Sequence, residues 1–212
     1  MSDLFAGEGT CVRLDDGVAY LPAHALPDDD ALLEALQGIL SAAPLRHMVT
    51  PGGLAMSVAM TNCGEAGWVS DRQGYRYARE DPVTGRAWPA MPALFRALAA
   101  TAAAAAGFAE YSPDVCLVNQ YVPGTRLSLH QDRDERDFAH PIVSVSLGLP
   151  ATFLLGGLQR RDPARRLPLG HGDVLVWGGP ARLRFHGVLA LKDGLHPQLG
   201  ARRINLTFRR AL

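Results

Sequence analysis

Two segments of the chain carry hydrophobic residues at the spacing of an amphipathic helix. After Pro27 and three consecutive aspartates, apolar side chains recur at every third or fourth position up to Leu40, which predicts a helix with aspartates at the positive end of its dipole. Pro44 ends this pattern because proline interrupts a helix. A second helix is predicted from Pro92 through an alanine-rich stretch to Gly107, where glycine favours the helix end.

The segment between these helices, from Met48 to Pro92, is rich in Gly, Pro, Asn and aromatic residues. We predict short hairpins with long loops there, so that the chain before about residue 110 forms a mixed α/β extension. The aromatic residues Trp68, Tyr75 and Tyr77 have two interpretations of equal weight. They are either a local core or contacts to a ligand, since aromatic-rich loops often serve binding.

From Asp114 onward the pattern changes to short apolar or alternating runs separated by Pro-Gly, Gly-Gly and Gly-Asp turns. The predicted strands are Val115–Val122, Arg126–Asp132, Ile142–Leu149, Thr152–Leu155, Val174–Trp177, Leu183–Leu191 and Arg203–Arg209. Many short strands without intervening helices indicate an all-β barrel or sandwich, with a jelly roll as the natural candidate.

Composition narrows the class of protein. A length of 212 residues with 48% hydrophobic residues suits one globular domain with an extension. Lys and Arg number 21 and Asp and Glu number 21, which argues against bulk electrostatic binding of nucleic acid but says nothing about local patches. One such patch begins at Arg160.

Cysteine usage and the chain start favour a cytoplasmic location. The three cysteines are odd in number and form no CxxC motif, which excludes a disulfide framework and a zinc ribbon and suits a reducing compartment. The N-terminal sequence shows no secretory signal, and the apolar run from Ala97 to Phe108 is too short to cross a bilayer. We expect no membrane partner.

A possible metal site lies in the strand-rich half. Side chains alternate along a strand, so His130 and Asp132 point to the same side. An imidazole beside a carboxylate supplies two thirds of a facial triad, and His186 on a distant strand would complete it and leave open positions on a non-haem iron. The HxD pair alone is weak evidence, since surface pairs and simple His–Asp hydrogen bonds are common.

The last predicted strand has an apolar face and a polar face that alternate cleanly. Its polar face consists of Arg203, Asn205, Thr207 and Arg209. This face either meets solvent, as is usual for an isolated strand, or lines a barrel and grips both ends of a small dicarboxylate. In the second case Asn119 and Tyr121, which share one face of another strand, would add neutral hydrogen bonds.

These motifs together resemble the AlkB family of Fe(II)- and 2-oxoglutarate-dependent dioxygenases. The residues that carry the resemblance are His130-Gln131-Asp132, His186 and Arg203-Ile204-Asn205-Leu206-Thr207-Phe208-Arg209. The similarity covers most of the chain, including Met56 to Gly64 and Pro141 to Pro150, and is weakest before about residue 44.

The resemblance implies a mostly β fold with flanking helices, in which a double-stranded β-helix, or jelly roll, carries an N-terminal α/β nucleotide-recognition extension. It divides the single structural domain into an N-terminal extension with a helix (1–44), a nucleotide-recognition lid (45–92) and a helix plus catalytic core (93–212).

The resemblance also implies a role for each site residue. The Fe(II) ligands and catalytic centre would be His130, Asp132 and His186, and O2 and 2-oxoglutarate would be cosubstrates. The 2-oxoglutarate contacts would be Arg203, Tyr121 and Asn205 at the 5-carboxylate and Arg209 and Asn119 near the 1-carboxylate. The nucleotide contacts would be Trp68 stacked on a flipped base opposite His130, Asp134 at its exocyclic amine, and Thr50, Tyr75 and Arg160 along the strand backbone.

The implied function is oxidative dealkylation repair of 1-methyladenine and 3-methylcytosine in DNA, with RNA as a further substrate, releasing formaldehyde, succinate and CO2. We expect a monomer that prefers single-stranded alkylated DNA. The alternatives are a 2-oxoglutarate dioxygenase acting on RNA or protein, a non-catalytic nucleic-acid-binding module with a metal site, and a zinc hydrolase with the same ligands. The polar strand face argues against the binding module, which has no need of a cosubstrate clamp.

Overall fold

The computed structural model describes residues 10–212, so the first nine residues of the predicted extension 1–44, and with them the predicted absence of a signal, lie outside it. Its helices are α1 (Asp29–Ala42) and α2 (Ala93–Ala105). Its strands are β1 (Val12–Asp15), β2 (Val18–Leu21), β3 (Arg46–Val49), β4 (Ala55–Gly64), β5 (Gly67–Asp71), β6 (Gly74–Ala78), β7 (Val115–Tyr121), β8 (Leu127–His130), β9 (Ile142–Gly148), β10 (Ala151–Leu155), β11 (Arg165–Leu169), β12 (Val174–Trp177), β13 (His186–Val188) and β14 (Arg203–Arg209).

Antiparallel sheets dominate the described part of the chain. An eight-stranded sheet has the order β1-β2-β12-β9-β14-β7-β4-β3, and a four-stranded sheet has the order β11-β10-β13-β8. Strands β5 and β6 form a separate hairpin. The prediction of a mostly β fold with flanking helices and a jelly-roll core is confirmed.

The large sheet has a hydrophobic core on each face. On the outer face, Ile204, Leu206 and Phe208 of β14 pack with the buried sides of both helices, as in the edge-to-face contact between Phe95 and Phe208. On the inner face, residues such as Leu175 pack against the four-stranded sheet. Burial on both sides explains why β12, with the sequence VLVW, is a continuous apolar run.

Strands β1, β2 and β3 of the large sheet were not predicted, and from Asp114 onward the predictions differ from the structure chiefly in the small sheet. Strand β8 ends at His130, so Asp132 lies in the following loop and the prediction of one strand through both residues is wrong. Strand β13 is limited to three residues, much less than predicted. Strand β11 was missed because its exposed arginines and Pro168 hide a pattern in which only Leu167 and Leu169 are buried.

The hairpin of β5 and β6 lies beside β4 and is fixed by side chains. The amide of Asn62, which is buried on β4, donates to the carbonyl oxygen of Trp68 and accepts from its N–H, both at 3.0 Å. Gly67 permits this approach, since a Cβ there would lie 2.7 Å from the Cβ of Asn62 and 2.5 Å from the ring of Trp88. Within residues 10–212, neither helix has the length and apolar character needed to span a membrane.

Candidate active site

Pairing of β8 with β13 brings two histidines together. His130 and His186 are direct cross-strand partners, and their ring centroids are 4.4 Å apart. Gly187 makes room for this pairing, because a Cβ there would lie 2.7 Å from the carbonyl oxygen of Leu127. The register of a short strand pair therefore places two imidazoles on one side of the small sheet.

Asp132 reaches the same point from the loop after β8. Its Oδ1 lies 3.6 Å from Nε2 of His130, and its Oδ2 lies 3.7 Å from Nε2 of His186. One potential ligand atom from each of these three residues lies within 4.8 Å of the other two, as an ion bound between them requires. Two imidazoles and one carboxylate form the ligand set of a facial iron site.

Backbone carbonyls set the tautomer of both histidines. Nδ1 of His130 lies 2.9 Å from the carbonyl oxygen of Ser128, and Nδ1 of His186 lies 3.0 Å from that of Arg184. A carbonyl oxygen only accepts, so each Nδ1 carries a proton and each Nε2 is the ring nitrogen available to an ion at the shared centre.

Burial and charge favour the metal-binding protonation states. Burial, and then the neighbouring His130, lowers the pKa of His186 to about 4, which leaves it neutral at pH 7. Burial alone would raise the pKa of Asp132, but the guanidinium of Arg209 and the two imidazoles outweigh it and hold that pKa well below its usual range. The aspartate is therefore an anion beside the neutral imidazole of His186.

The polar face of β14 is buried, which makes the interpretation of a solvent face wrong. The large sheet turns this face inward, and Arg203 and Arg209 are only 1% and 5% exposed. Arg209 donates to Oδ2 of Asp132 from Nε and Nη2 at 2.8 and 2.5 Å. Arg203 lies over the ring of Tyr121 at 5.0 Å and donates from Nη2 to Ser146.

Several buried polar atoms at this face have no partner among the described residues. They are Oδ1 of Asn119, Nε1 of Trp177, Nε and Nη1 of Arg203, and Nη1 of Arg209. Buried guanidinium N–H groups without acceptors are costly unless a ligand completes them. A small dicarboxylate supplies the missing acceptors for both arginines, so the residues present fit 2-oxoglutarate.

Two serines that the sequence motifs did not single out support this face. Ser144 accepts from Nδ2 of Asn205 at 2.8 Å, and Ser146 accepts from Arg203 at 2.9 Å. Both lie on β9, which pairs with β14. The alternation of serine with valine and leucine in β9 is the signal that could have identified them.

The predicted nucleotide contacts lie partly together. The rings of Trp68 and Tyr75 on the hairpin stack at 5.6 Å, and Nε1 of Trp68 donates to Oδ2 of Asp134 at 2.8 Å. Asp134 therefore already accepts a hydrogen bond from the indole, which the sequence did not predict. These three side chains form one partly exposed surface near the His130–Asp132 loop.

The other two predicted contacts belong to different elements. The hydroxyl of Thr50 accepts from the backbone N–H of Leu54 and shapes the turn between β3 and β4. The exposed Arg160, in the loop between β10 and β11, lies over the ring of Phe185 and donates to the carbonyl oxygen of Leu129. Arg160 is thus next to the strand that carries His130, while Thr50 follows Val49, whose carbonyl oxygen accepts a hydrogen bond from Ser70 of the hairpin.

Comparison with known proteins gives consistent results. A sequence model of the 2OG-Fe(II) oxygenase superfamily matches residues 17–209. The chain is 53% identical over 212 residues to the alpha-ketoglutarate-dependent dioxygenase AlkB of Salmonella typhimurium, covering 100% of this chain and 98% of that protein. It is 35% identical over 165 residues to the DNA N(6)-methyladenine demethylase ALKBH1C of Arabidopsis thaliana, covering 66% of this chain and 36% of that protein. The solved structure of OsALKBH1 superposes with a TM-score of 0.81 at 29% identity, covering 95% of this chain and 100% of that one.

Proposed function

We propose that the protein repairs N-alkylated nucleic-acid bases by oxidative dealkylation. The chain belongs to the AlkB family of the 2OG-Fe(II) oxygenase superfamily and is therefore a dioxygenase that uses Fe(II), O2 and 2-oxoglutarate. The substrates are 1-methyladenine and 3-methylcytosine in DNA, with RNA as a further substrate. The products are formaldehyde, succinate, CO2 and the unmodified base. The observation that carries this proposal is the His130–Asp132–His186 cluster beside two buried arginines.

The metal and cosubstrate roles follow from the contacts of this cluster. His130, Asp132 and His186 hold Fe(II), which, when bound, supplies oxidation of the alkyl carbon by O2 coupled to decarboxylation of 2-oxoglutarate. Arg203 binds the 5-carboxylate. The neutral contacts are Tyr121 and Asn205 near Arg203, and Asn119 near Arg209 at the 1-carboxylate. The unpartnered N–H groups of both arginines support this assignment.

Aromatic side chains keep bulk water from the centre. The Trp177 ring centroid is 4.9 Å from that of His186, and the ring of Phe153 stacks on the same imidazole at 5.8 Å and contacts Trp177 at 5.7 Å. Both aromatic residues are almost completely buried. Low local polarity strengthens the charge interactions of Asp132 with Arg209 and protects the reaction from side processes.

Base recognition falls to the hairpin and Asp134. A methylated ring nitrogen makes adenine or cytosine cationic, so the face of Trp68 and the carboxylate of Asp134 together favour the lesion over the normal base. His130 borders the base on its other side. Thr50, Tyr75 and Arg160 contact the strand backbone, for which a hydroxyl, a phenol and a guanidinium are suited.

We further propose that single-stranded alkylated DNA is preferred and that one chain suffices. Extraction of a base from a single strand costs less free energy than extraction from a duplex. The formal net charge of the chain is zero, so the chain as a whole has no excess positive charge that would attract duplex DNA. All residues assigned to the site come from one chain. Residues 45–92 act as the nucleotide-recognition lid, 93–212 as the catalytic core and 1–44 as the extension, in the cytoplasm.

A second candidate substrate is N6-methyladenine. It is favoured by the 35% identity to ALKBH1C of Arabidopsis thaliana, whose name records demethylation of that base in DNA. N6-methyladenine has no positive charge, so the cation-selective pair of Trp68 and Asp134 favours 1-methyladenine and 3-methylcytosine over it.

A panel of oligonucleotides tests the proposed function. Single-stranded DNA, duplex DNA and RNA, each with one 1-methyladenine, 3-methylcytosine or N6-methyladenine, are incubated with Fe(II) and 2-oxoglutarate and analysed by mass spectrometry. We expect loss of one methyl group and release of formaldehyde and succinate, fastest on the cationic bases in single-stranded DNA, and none with Asp132→Ala. Unchanged oligonucleotides throughout the panel would refute the proposal.

A further inference from the structure

Glu135 is a buried acid that the proposed reaction does not use. It lies in the loop three residues after Asp132, and its side chain is only 2% exposed. Its Oε1 accepts from the hydroxyl of Tyr77 at 2.8 Å and lies 3.3 Å from Nε of Arg209. Its Oε2 lies 3.1 Å from Nη2 of Arg182 in an ion pair whose orientation makes no hydrogen bond.

These contacts make Glu135 part of a charge-balanced cluster. The anions are Asp132 and Glu135, and the cations are Arg182 and Arg209, all with side chains at most 10% exposed. Arg182 also donates to the backbone carbonyl oxygens of Asp132 and His140, so it fastens the loop that carries both acids. Removing one charge from such a cluster leaves a buried charge uncompensated, with little water to screen it.

The balance bears directly on the metal ligands. Arg209 donates two hydrogen bonds to Oδ2 of Asp132, while Oδ1 of the same carboxylate faces His130. Without Glu135, the carboxylate of Asp132 alone would balance the two guanidiniums of the cluster. The cluster would then carry excess positive charge beside the metal. Excess positive charge close to the metal ligands opposes binding of a divalent cation.

The cluster also contacts the hairpin that carries Trp68. Tyr77 belongs to β6, and its hydroxyl donates to the same oxygen of Glu135 that faces Arg209. Burial raises the pKa of Tyr77 well above its usual value. Arg209 opposes this rise, and the neighbouring anions Glu135 and Asp132 add to it, so the hydroxyl remains a donor. A continuous path of contacts therefore runs from the hairpin through Tyr77, Glu135 and Arg209 to Asp132.

We propose that Glu135 is a positioning residue for the metal centre, which holds Arg209 against Asp132, balances its charge and links the hairpin to this metal ligand. The role deepens the proposed function and rests on Asp132 as a ligand. Removal of residues that hold metal ligands in place changes metal affinity by about 10- to 100-fold.

Titration of the metal-free full chain with Co(II), followed by the visible absorption of the bound ion, tests the charge-balancing role. Glu135→Gln keeps the size and an acceptor for Tyr77 but removes the charge, so we expect Co(II) affinity to fall about tenfold or more. Glu135→Asp retains the charge on a shorter side chain and should recover part of the loss. The matched control is Glu65→Gln, since Glu65 is an exposed acid in the turn between β4 and β5 and should bind Co(II) like the unchanged protein.

The possible outcomes separate this role from a merely structural one and from the proposed function. Thermal unfolding of each metal-free variant reports on the fold, and Asp132→Ala reports on the ligand itself. Equal Co(II) affinity in Glu135→Gln and the unchanged protein overturns the proposal, whereas unchanged affinity in Asp132→Ala overturns the metal site on which it rests. If Glu135→Gln does not fold, Glu135→Asp decides, because wild-type affinity there contradicts a dependence on the position of this carboxylate.

Hydrogen exchange tests the link to the hairpin. We expect Co(II) to slow exchange of the backbone amides of residues 67–78 in the unchanged protein. Tyr77→Phe keeps every charge of the cluster, so its Co(II) affinity should stay close to wild type while most of this slowing disappears. Slowing that persists in Tyr77→Phe, or that is absent from the unchanged protein, overturns the link.

Discussion

At the scale of single residues, the site is defined by which atoms remain free after the protein has used the others. Backbone carbonyl oxygens accept hydrogen bonds from Nδ1 of His130 and His186, and Arg209 donates to one oxygen of Asp132. What remains is two Nε2 lone pairs and one carboxylate oxygen directed at one point. The residue types were predictable from the HxD motif and the late histidine, whereas the tautomers were not, because they depend on backbone carbonyls that only the fold places.

Glu135 shows why some functional residues escape prediction from sequence. It lies within a polar loop, between Asp134 and Arg136, where an acid is usually solvated. Its burial arises from three elements distant in sequence, which supply Tyr77, Arg182 and Arg209. No local pattern encodes that meeting. By contrast, Arg203 and Arg209 were predictable as a pair, since strand alternation alone puts them on one face.

At this scale we predict that Trp68→Ala weakens substrate binding without harming the metal centre. Loss of a stacking surface costs roughly 1–3 kcal/mol per base, so KM for a methylated oligonucleotide should rise roughly 5- to 150-fold. Turnover of 2-oxoglutarate without oligonucleotide should remain near the wild-type rate. Trp68→Phe is the matched control, since it keeps a smaller aromatic face and removes the N–H that reaches Asp134. Equal loss of both activities in Trp68→Ala would contradict the assignment.

At the scale of elements, the local sequence pattern was sufficient to predict those helices and strands whose buried positions recur at regular intervals. The two helices and β14 have long periodic patterns, and the structure places them at nearly the predicted positions. Strand β8 ends at His130 and strand β13 begins at His186, so the chain passes into loops directly beside this pair and both strands are short. The helices and strands of the outer core were therefore predictable, while the edges of the site were not.

The hairpin illustrates an element whose position depends on one buried side chain. Asn62 replaces a missing strand contact by pairing with both backbone groups of Trp68. We predict that Asn62→Ala lowers the free energy of unfolding by about 1–3 kcal/mol, since two backbone groups lose their partners. Urea unfolding and amide exchange of residues 67–78 measure the two effects, and exchange there should become faster.

Thr61→Val provides the control for this experiment. Thr61 is also buried on β4, but its hydroxyl donates to the carbonyl oxygen of Ala43 and makes no contact with the hairpin in the hydrogen-bond network of residues 10–212. Its loss should reduce stability without selectively accelerating exchange in the hairpin. If Asn62→Ala and Thr61→Val give the same exchange pattern, the amide of Asn62 does not fix the hairpin.

At the scale of the whole molecule, the large sheet separates two tasks. Its outer face packs on α1 and α2 and stabilises the fold, whereas its inner face carries polar groups toward the small sheet. Arg203 is buried in this interior and makes no ion pair with a carboxylate among residues 10–212, so its position there requires a ligand of opposite charge. The jelly-roll class was predictable from many short strands without helices between them. The order of the strands was not, because non-sequential pairs such as β9 with β14 leave no mark in local sequence.

The most direct test of the central claim is anaerobic titration of the full chain with Fe(II) and 2-oxoglutarate, measured by calorimetry. We predict one Fe(II) and one 2-oxoglutarate per chain, loss of both in His186→Ala, and normal Fe(II) binding with at least about tenfold weaker 2-oxoglutarate binding in Arg203→Met. Fe(II) binding in His186→Ala with wild-type affinity, or 2-oxoglutarate binding that does not depend on Arg203, would contradict the account.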